Sequence, residues 1–161
     1  MEALEREVER LRGVERELRE SEERYRSLVE NTRDGFFMME AATGRFLFLN
    51  RTVCDLFGYS LGEGLGMSVW DVVVPEEHPA LRERMRAQLA GAGPLPLRTW
   101  RVVRRDASVF QAEISVSGVA FQGRSVLQGL LRDVTERETL LERLSRSQKL
   151  EAVGTLASGI A

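Results

Sequence analysis

The stretch Arg45 to Ser60, RFLFLNRTVCDLFGYS, constrains this chain more than any other. Its apolar run Phe46 to Leu49 reads as a short strand that stops at Asn50. Helical spacing takes over at once, with Val53, Leu56 and Phe57 on one face. Asn50 suits the N-cap of that helix, since its side-chain oxygen can accept a hydrogen bond from a first-turn amide. Gly58 ends the helix where a left-handed residue carries little cost. Ser60 opens a further turn, with Glu63 three residues on as the partner of a capping box.

Composition bounds what surrounds this stretch. A chain of 161 residues accommodates one domain of about 100–150 residues plus extensions. Hydrophobic residues at 43% support a packed core, and charged residues at 30% leave a large charged surface. The net charge of −2 gives no electrostatic basis for binding nucleic acid or an anionic membrane. Cys54 is the single cysteine, so no internal disulfide forms, which fits a reducing compartment. No apolar run approaches the ~20 residues that span a bilayer, and the charged N-terminus does not read as a signal peptide. The expectation is a soluble, cytoplasmic chain.

Residues 1–31 are charge-rich and almost free of turn residues. Met1, Leu4, Val8, Leu11, Leu18, Tyr25 and Val29 fall on the a and d positions of one heptad frame. Glu15 and Glu22 occupy two a positions and weaken the seam, while Gly13 lies on the outer f face. Four Glu–Arg pairs at i,i+4 (Glu2–Arg6, Glu15–Arg19, Glu20–Arg24, Glu22–Arg26) support a helix. Two readings fit this arm: a parallel two-stranded coiled coil, or a solvated helix folding back on its own domain. The narrow a/d stripe suits a partner helix better than a globular core.

Residues 32–133 read as a domain. Asp34-Gly35 turns into the apolar run Phe36 to Met39, and Thr43-Gly44 turns again into Phe46 to Leu49, a strand hairpin. After Ser60, the glycines at 62, 64 and 66 are too close together for a long helix, which predicts short helical turns and loop. Pro79 opens a helix in which Leu81, Met85, Gln88 and Leu89 sit among arginines, so one face packs and the other is solvated. GAGP, from Gly91 to Pro94, ends it. Three strands follow: Leu97 to Arg104, a run alternating Phe110, Ala112, Ile114 and Val116 with polar residues, and Ser125 to Arg132. Two strands, several short helices and three strands predict an α+β fold, a five-stranded antiparallel sheet with short helices on one face.

This order resembles the PAS sensor-domain family over about 100 residues. The resemblance rests on LNRTVCDLFGYS, on VVPEEH before the longer helix, on the RRDAS turn and on LRDVTER at the exit. Where the family has glycine this chain carries Ala107, which predicts a local difference in turn geometry. Family resemblance also places a DIT-type coupling motif at Asp133-Val134-Thr135, between sheet and output helix. From the residues alone, Thr135 and Glu138 form a capping box. Asp133 and Thr135 are thus candidates for signal coupling, or for a helix cap alone.

In residues 134–161, Leu140, Leu144, Leu150, Val153, Leu156 and Ile160 form an apolar stripe with a stutter near Ser147. The terminal SQKLEAVGTLASGIA resembles the start of the dimerisation helix of sensor histidine kinases. That resemblance implies a phosphoacceptor histidine just beyond Ala161, so the fragment itself is expected to be no enzyme.

The remaining candidates divide between chemistry and plain structure. His78, the only histidine, lies in a loop before a helix, and the haem-ligand position of related kinases falls near Arg82 instead. The reactive cysteine of flavin-binding relatives aligns with Val69, which leaves Cys54 as a small buried hydrophobe. No haem, flavin or metal is expected. Met38, Phe48, Leu56, Phe57, Met67, Trp70, Met85, Trp100 and Ile114 either line a pocket for a small apolar or aromatic ligand or fill a closed core. The resemblance implies a homodimeric sensory module between signalling helices, passing its signal to a kinase region of the same polypeptide and then to a response regulator. Two alternatives stand beside it: a ligand-independent dimerisation scaffold, or a PAS module serving a cyclase or transcription regulator.

Overall fold

The chain is described by a computed structural model that places the backbone of residues 1–160 and the side chains of residues 1–155. The side chains of Leu156 and Ile160, expected on the exit stripe, lie outside the described residues. A long helix α1 (Glu2–Glu30) leads into β1 (Gly35–Glu40) and β2 (Phe46–Leu49). Four helices follow: α2 (Arg51–Phe57), α3 (Leu61–Gly64), α4 (Val69–Val72) and, after a 3₁₀ turn at Pro75–Glu77, α5 (His78–Leu89). Strands β3 (Arg98–Val103), β4 (Val109–Phe121) and β5 (Arg124–Asp133) complete the sheet, and α6 (Thr135–Ile160) leaves it. All pairings are antiparallel, in the order β2-β1-β5-β4-β3.

One face of this sheet and the helices α2 to α5 enclose the core. Phe37, Met39, Trp100, Val102, Phe110, Leu127 and Leu131 come from strands, and Val53, Phe57, Val72, Leu81 and Met85 from helices. The local signals that set the elements are visible. Ser60 and Glu63 form the reciprocal capping box, and Gly58 adopts φ 80° as it ends α2. Gln122 and Gly123, at φ 49° and 74°, make the two-residue turn between β4 and β5. Ala107 takes φ 69°, so the turn keeps a left-handed conformation despite the missing glycine. The expected difference in turn geometry gives way to a strained alanine, at a cost of about 1 kcal/mol.

A bulge in β2 decides which aromatic rings enter the core. Met38 pairs with Phe48, but Met39 pairs with Phe46, leaving Leu47 as the extra residue. Phe46 therefore turns inward, edge-on to Phe37, with ring centroids 6.1 Å apart. Phe48 turns outward onto Phe36, also at 6.1 Å. Met38 and Phe48, expected to line a pocket, thus sit on the outer sheet face, beside the half-exposed Leu130. The β1 alternation sends every second side chain away from the helices, and Phe48 follows its in-register partner Met38 outward.

Helices α1 and α6 extend from this body. No residue of α1 is buried among the described residues. Its Leu4, Val8, Leu11, Leu18 and Tyr25 are all exposed, as are Leu140 and Leu144 of α6. Of the four expected Glu–Arg pairs, Glu2–Arg6 and Glu15–Arg19 close at 3.7 and 3.4 Å. Arg24 turns instead to the backbone carbonyl of Glu20.

Candidate functional site

Asn50 organises the root of α1. It is fully buried, and its side chain makes four hydrogen bonds. Oδ1 accepts from the amides of Val53, the N-cap bond, at 3.1 Å and of Phe36 at 2.9 Å. Nδ2 donates to the carbonyls of Val29 at 2.7 Å and Asp34 at 3.2 Å. One amide thus saturates its bonding capacity while joining the last turn of α1, the start of β1 and the first turn of α2. Two neighbours repeat the link: Thr52 Oγ1 donates to the carbonyl of Thr32 at 2.8 Å, and the Glu30 carboxylate accepts from the Arg51 amide at 3.0 Å.

Asp133 and Thr135 organise the root of α6. The Asp133 carboxylate accepts from the Thr135 amide at 3.0 Å and pairs with Arg104 at 3.2 Å. Thr135 does not form the expected capping box with Glu138. Its hydroxyl accepts from the Gln111 amide of β4 at 2.9 Å, while the Val134 amide donates to the Gln111 carbonyl at 2.9 Å. The β4 strand runs alongside and offers a backbone donor where the sequence pattern shows only a local partner. Arg137 adds an ion pair to Glu113 of β4 at 2.6 Å.

Arg104 is the residue that sequence reasoning missed. Its Nε donates to the carbonyl of Leu56 at 2.9 Å, and its guanidinium lies 4.1 Å from the centroid of the Phe110 ring. The other end of the same fork holds Asp133. Arg104 thereby connects the end of α2 and the aromatic core to the last residue of β5, two positions before the exit helix. Its place at the end of a strand, before a turn, reads in sequence as a solvated charge.

The two roots are neighbours. Gly35 of β1 pairs with Leu131 of β5, and Asp34 and Arg132 form a forked pair with both contacts at 3.0 Å. The Arg132 guanidinium, bonded to both carboxylate oxygens, holds the Asp34 carboxyl below its usual range. A carboxyl depressed in the folded state contributes stability that is fully present above its unfolded value, about 3.9, and is lost as pH falls through the folded value. Arg132→Gln is expected to move Asp34 titration upward, toward that unfolded value, when carboxyl resonances are followed by NMR. An unmoved titration would mean the fork is not closed in solution.

Between α5 and the sheet lies a cavity of about 50 Å³. Met85, Trp100 and Ile114 line it, with Phe37, Met39 and Leu127 behind them. Phe57 and Met67 line a second void of about 20 Å³ beside α2, where Cys54 also sits. Partial burial, with the charges of Asp55 and Glu30, pushes the Cys54 thiol up, away from the reactive thiolate. Leu56 and Trp70 pack against the core without lining either space. Trp70 donates to the Thr43 carbonyl at 3.0 Å and meets His78 edge-on at 5.3 Å, while a His78 ring nitrogen reaches the Val73 carbonyl at 2.9 Å. Since a benzene-binding cavity measures about 150 Å³, the larger space holds only a fragment of an aromatic ligand as it stands. The described residues include no group of three or more His, Cys, Asp or Glu that could hold a metal.

A single antiparallel sheet, short helices over one face and two long helices rooted in adjacent strands define an α+β module. The PAS fold family model matches residues 23–134, and the chain belongs to the PAS family. It is 29% identical over 147 residues to sporulation kinase A of Bacillus subtilis, covering 89% of this chain and 24% of that protein. It is 26% identical to the sensor protein FixL of Bradyrhizobium diazoefficiens, covering 96% of this chain and 32% of that protein. The chain therefore spans about a third or less of these relatives. A solved PAS domain of an HTR-like protein from Haloarcula marismortui superposes with a TM-score of 0.62 at 26% identity, covering 76% of this chain and 98% of that one. The described residues contain no helix long and apolar enough to cross a membrane.

Proposed function

We propose that this chain is the cytoplasmic signal-relaying PAS module of a bacterial sensor histidine kinase and works as a parallel homodimer. The observation that carries this reading is the pair of adjacent helix roots. Asn50 ties α1 to the core, Arg104 and Asp133 tie α6 to the same core, and Asp34–Arg132 joins the two. A shift of the sheet or of α2 therefore reaches α1 through the neutral amide bonds of Asn50 and α6 through the charge-assisted Arg104–Asp133 pair. The proposed segments are 1–31 as the entering coiled coil, 32–133 as the PAS domain, and 134–161 as the output helix. Exposed Leu4, Val8, Leu11, Leu18 and Tyr25 on α1 and Leu140 and Leu144 on α6 supply its dimer seams. The likeness of the terminal segment to a kinase dimerisation helix supports a kinase output, with a response regulator downstream.

Multi-angle light scattering tests the dimer. Leu11→Glu with Leu18→Glu places charge at two d positions and is expected to convert a dimer to a folded monomer. A monomeric parent chain would overturn the seam assignment. Thr135→Val, in the chain joined to its kinase region, is expected to leave the fold intact and uncouple output from input. Unchanged signalling would leave Thr135 as a structural contact only. The small volume of the core cavity favours a second reading, a scaffold that sets kinase geometry without a ligand.

A further inference from the structure

The sheet covers its two outer strands and leaves one stretch of an inner strand open. On one side the Phe46 amide of β2 donates to the Met67 carbonyl, and Arg45 bridges Ser68. On the other, Val73 bridges Val102 of β3, and the Val74 amide donates to the Arg101 carbonyl. The open stretch belongs to β4, which outruns its neighbour. Among the described residues it pairs with β5 from Ala112 to Phe121, but with β3 only from Val109 to Ile114. Continuing that register would next bond Val116 to Pro96, which has no amide hydrogen to give.

The Gln122-Gly123 turn fixes which backbone groups are left over. A two-residue turn makes Phe121 and Arg124 a bonded pair, so Val119, Ser117 and Ser115 also bond to β5. Gln111, whose carbonyl accepts from the Val134 amide just after β5, has the same parity. The amides and carbonyls of Val116, Gly118 and Ala120 therefore point to the open side, where Gly118 and Ala120 are exposed. Strand edges are ordinarily blocked by charge, proline or a bulge. From Ile114 to Gly123 there is no charged residue and no proline, and the β4–β5 register runs without a bulge.

We propose that this edge of β4, from Ser117 to Phe121, pairs antiparallel with the same edge of a second copy. Leu95 lies beside Val116 in a surface groove and limits pairing to the residues beyond it. A two-fold axis at Val119 sets Gly118 against Ala120 of the other copy, where they exchange backbone bonds, and Ser117 against Phe121. No like charges oppose one another in that register, and the half-exposed Phe121 gains cover. A foreign extended peptide would need pockets for its alternate side chains, and Ser117, Gly118 and Ala120 offer none. The contact is small, so its expected Kd is about 0.1–1 mM. It is silent in dilute solution. Between chains already held close, it links dimers joined along their helices into larger arrays.

The edge contact goes beyond the relay reading and is tested without the helix seams. Amide NMR spectra of the full chain carrying Leu11→Glu and Leu18→Glu are followed from about 20 μM to about 2 mM. The Gly118 and Ala120 signals are expected to shift along a saturable curve, with sedimentation showing a dimer at the upper end. Gly118→Pro removes one edge donor and leaves the bonds to β5 in place, while Ala120→Lys puts a charge on the edge. Each is expected to weaken association about tenfold or more. An unchanging spectrum and a monomer up to about 2 mM would overturn the proposal. So would shifts confined to other strands, or a dimer that both variants leave intact, since another surface would then hold it. The parent spectra decide the matter even if a variant fails to fold. A chain that forms no helix seam would sink the relay dimer, and these spectra would still read the edge.

Discussion

Asn50→Ala is expected to destabilise the domain by about 3–5 kcal/mol, a large share of the stability of any small domain. The substitution removes the N-cap of α2, which alone accounts for about 1 kcal/mol. It also leaves the Phe36 amide and the Val29 and Asp34 carbonyls, which surround the fully buried Asn50 side chain, without their partner. Each buried group so orphaned costs about 1–3 kcal/mol, and relaxation keeps the sum below simple addition. Urea unfolding at neutral pH reads the loss directly. Asn50→Asp sharpens the result. It keeps an acceptor for Val53 and Phe36 but turns a carboxylate toward two carbonyl oxygens, so it should rescue little. A loss below about 1 kcal/mol for the alanine variant would mean the four bonds are not maintained in solution.

Gly129→Ala is expected to cost about 1–3 kcal/mol, although glycine in a strand interior is ordinarily the weaker residue. Gly129 pairs with Phe37 across β5 and β1, and the Phe37 ring lies over its Cα. An added Cβ would stand 2.3 Å from Cζ of that ring, and the ring is buried in the core. The cost should therefore depend on Phe37 itself. In a Phe37→Leu background the same glycine substitution is expected to become neutral or stabilising, a coupling that a double-mutant cycle measures. Additive effects would show that the ring does not hold Gly129 bare. Because Phe37 also lines the main cavity, the pair links sheet packing to the volume open to a ligand.

What the sequence made legible was local. Asn50, Gly58, Ser60 and Glu63 announce their caps because each cap involves residues within a few positions. The strand alternation of Phe110, Ala112 and Ile114 likewise carries its own face assignment. The three remaining bonds of Asn50 were not legible, since they join it to residues between 14 and 21 positions away. Thr135 shows the same limit. Its pattern with Glu138 spells a capping box, and only the tertiary fold supplies the Gln111 amide that displaces it. The β2 bulge carries no glycine or proline to mark it, so the inward turn of Phe46 follows from pairing with β1 and from nothing nearer. Arg84, Arg98 and Arg104 look in sequence like solvated charges. Their positions over Trp100 and Phe110 emerge once strands and α5 are placed side by side.

The side-by-side helix roots carry a consequence for portability. The chain enters β1 and leaves β5 on neighbouring strands, about 5 Å apart, and the Asp34–Arg132 fork fastens them there. The domain is thus entered and left at one place, so the two flanking helices start from adjacent points. Excising residues 36–130 would leave two ends that a tight turn can splice. By the same geometry, the module is expected to insert into a tight turn of another protein without displacing the segments on either side.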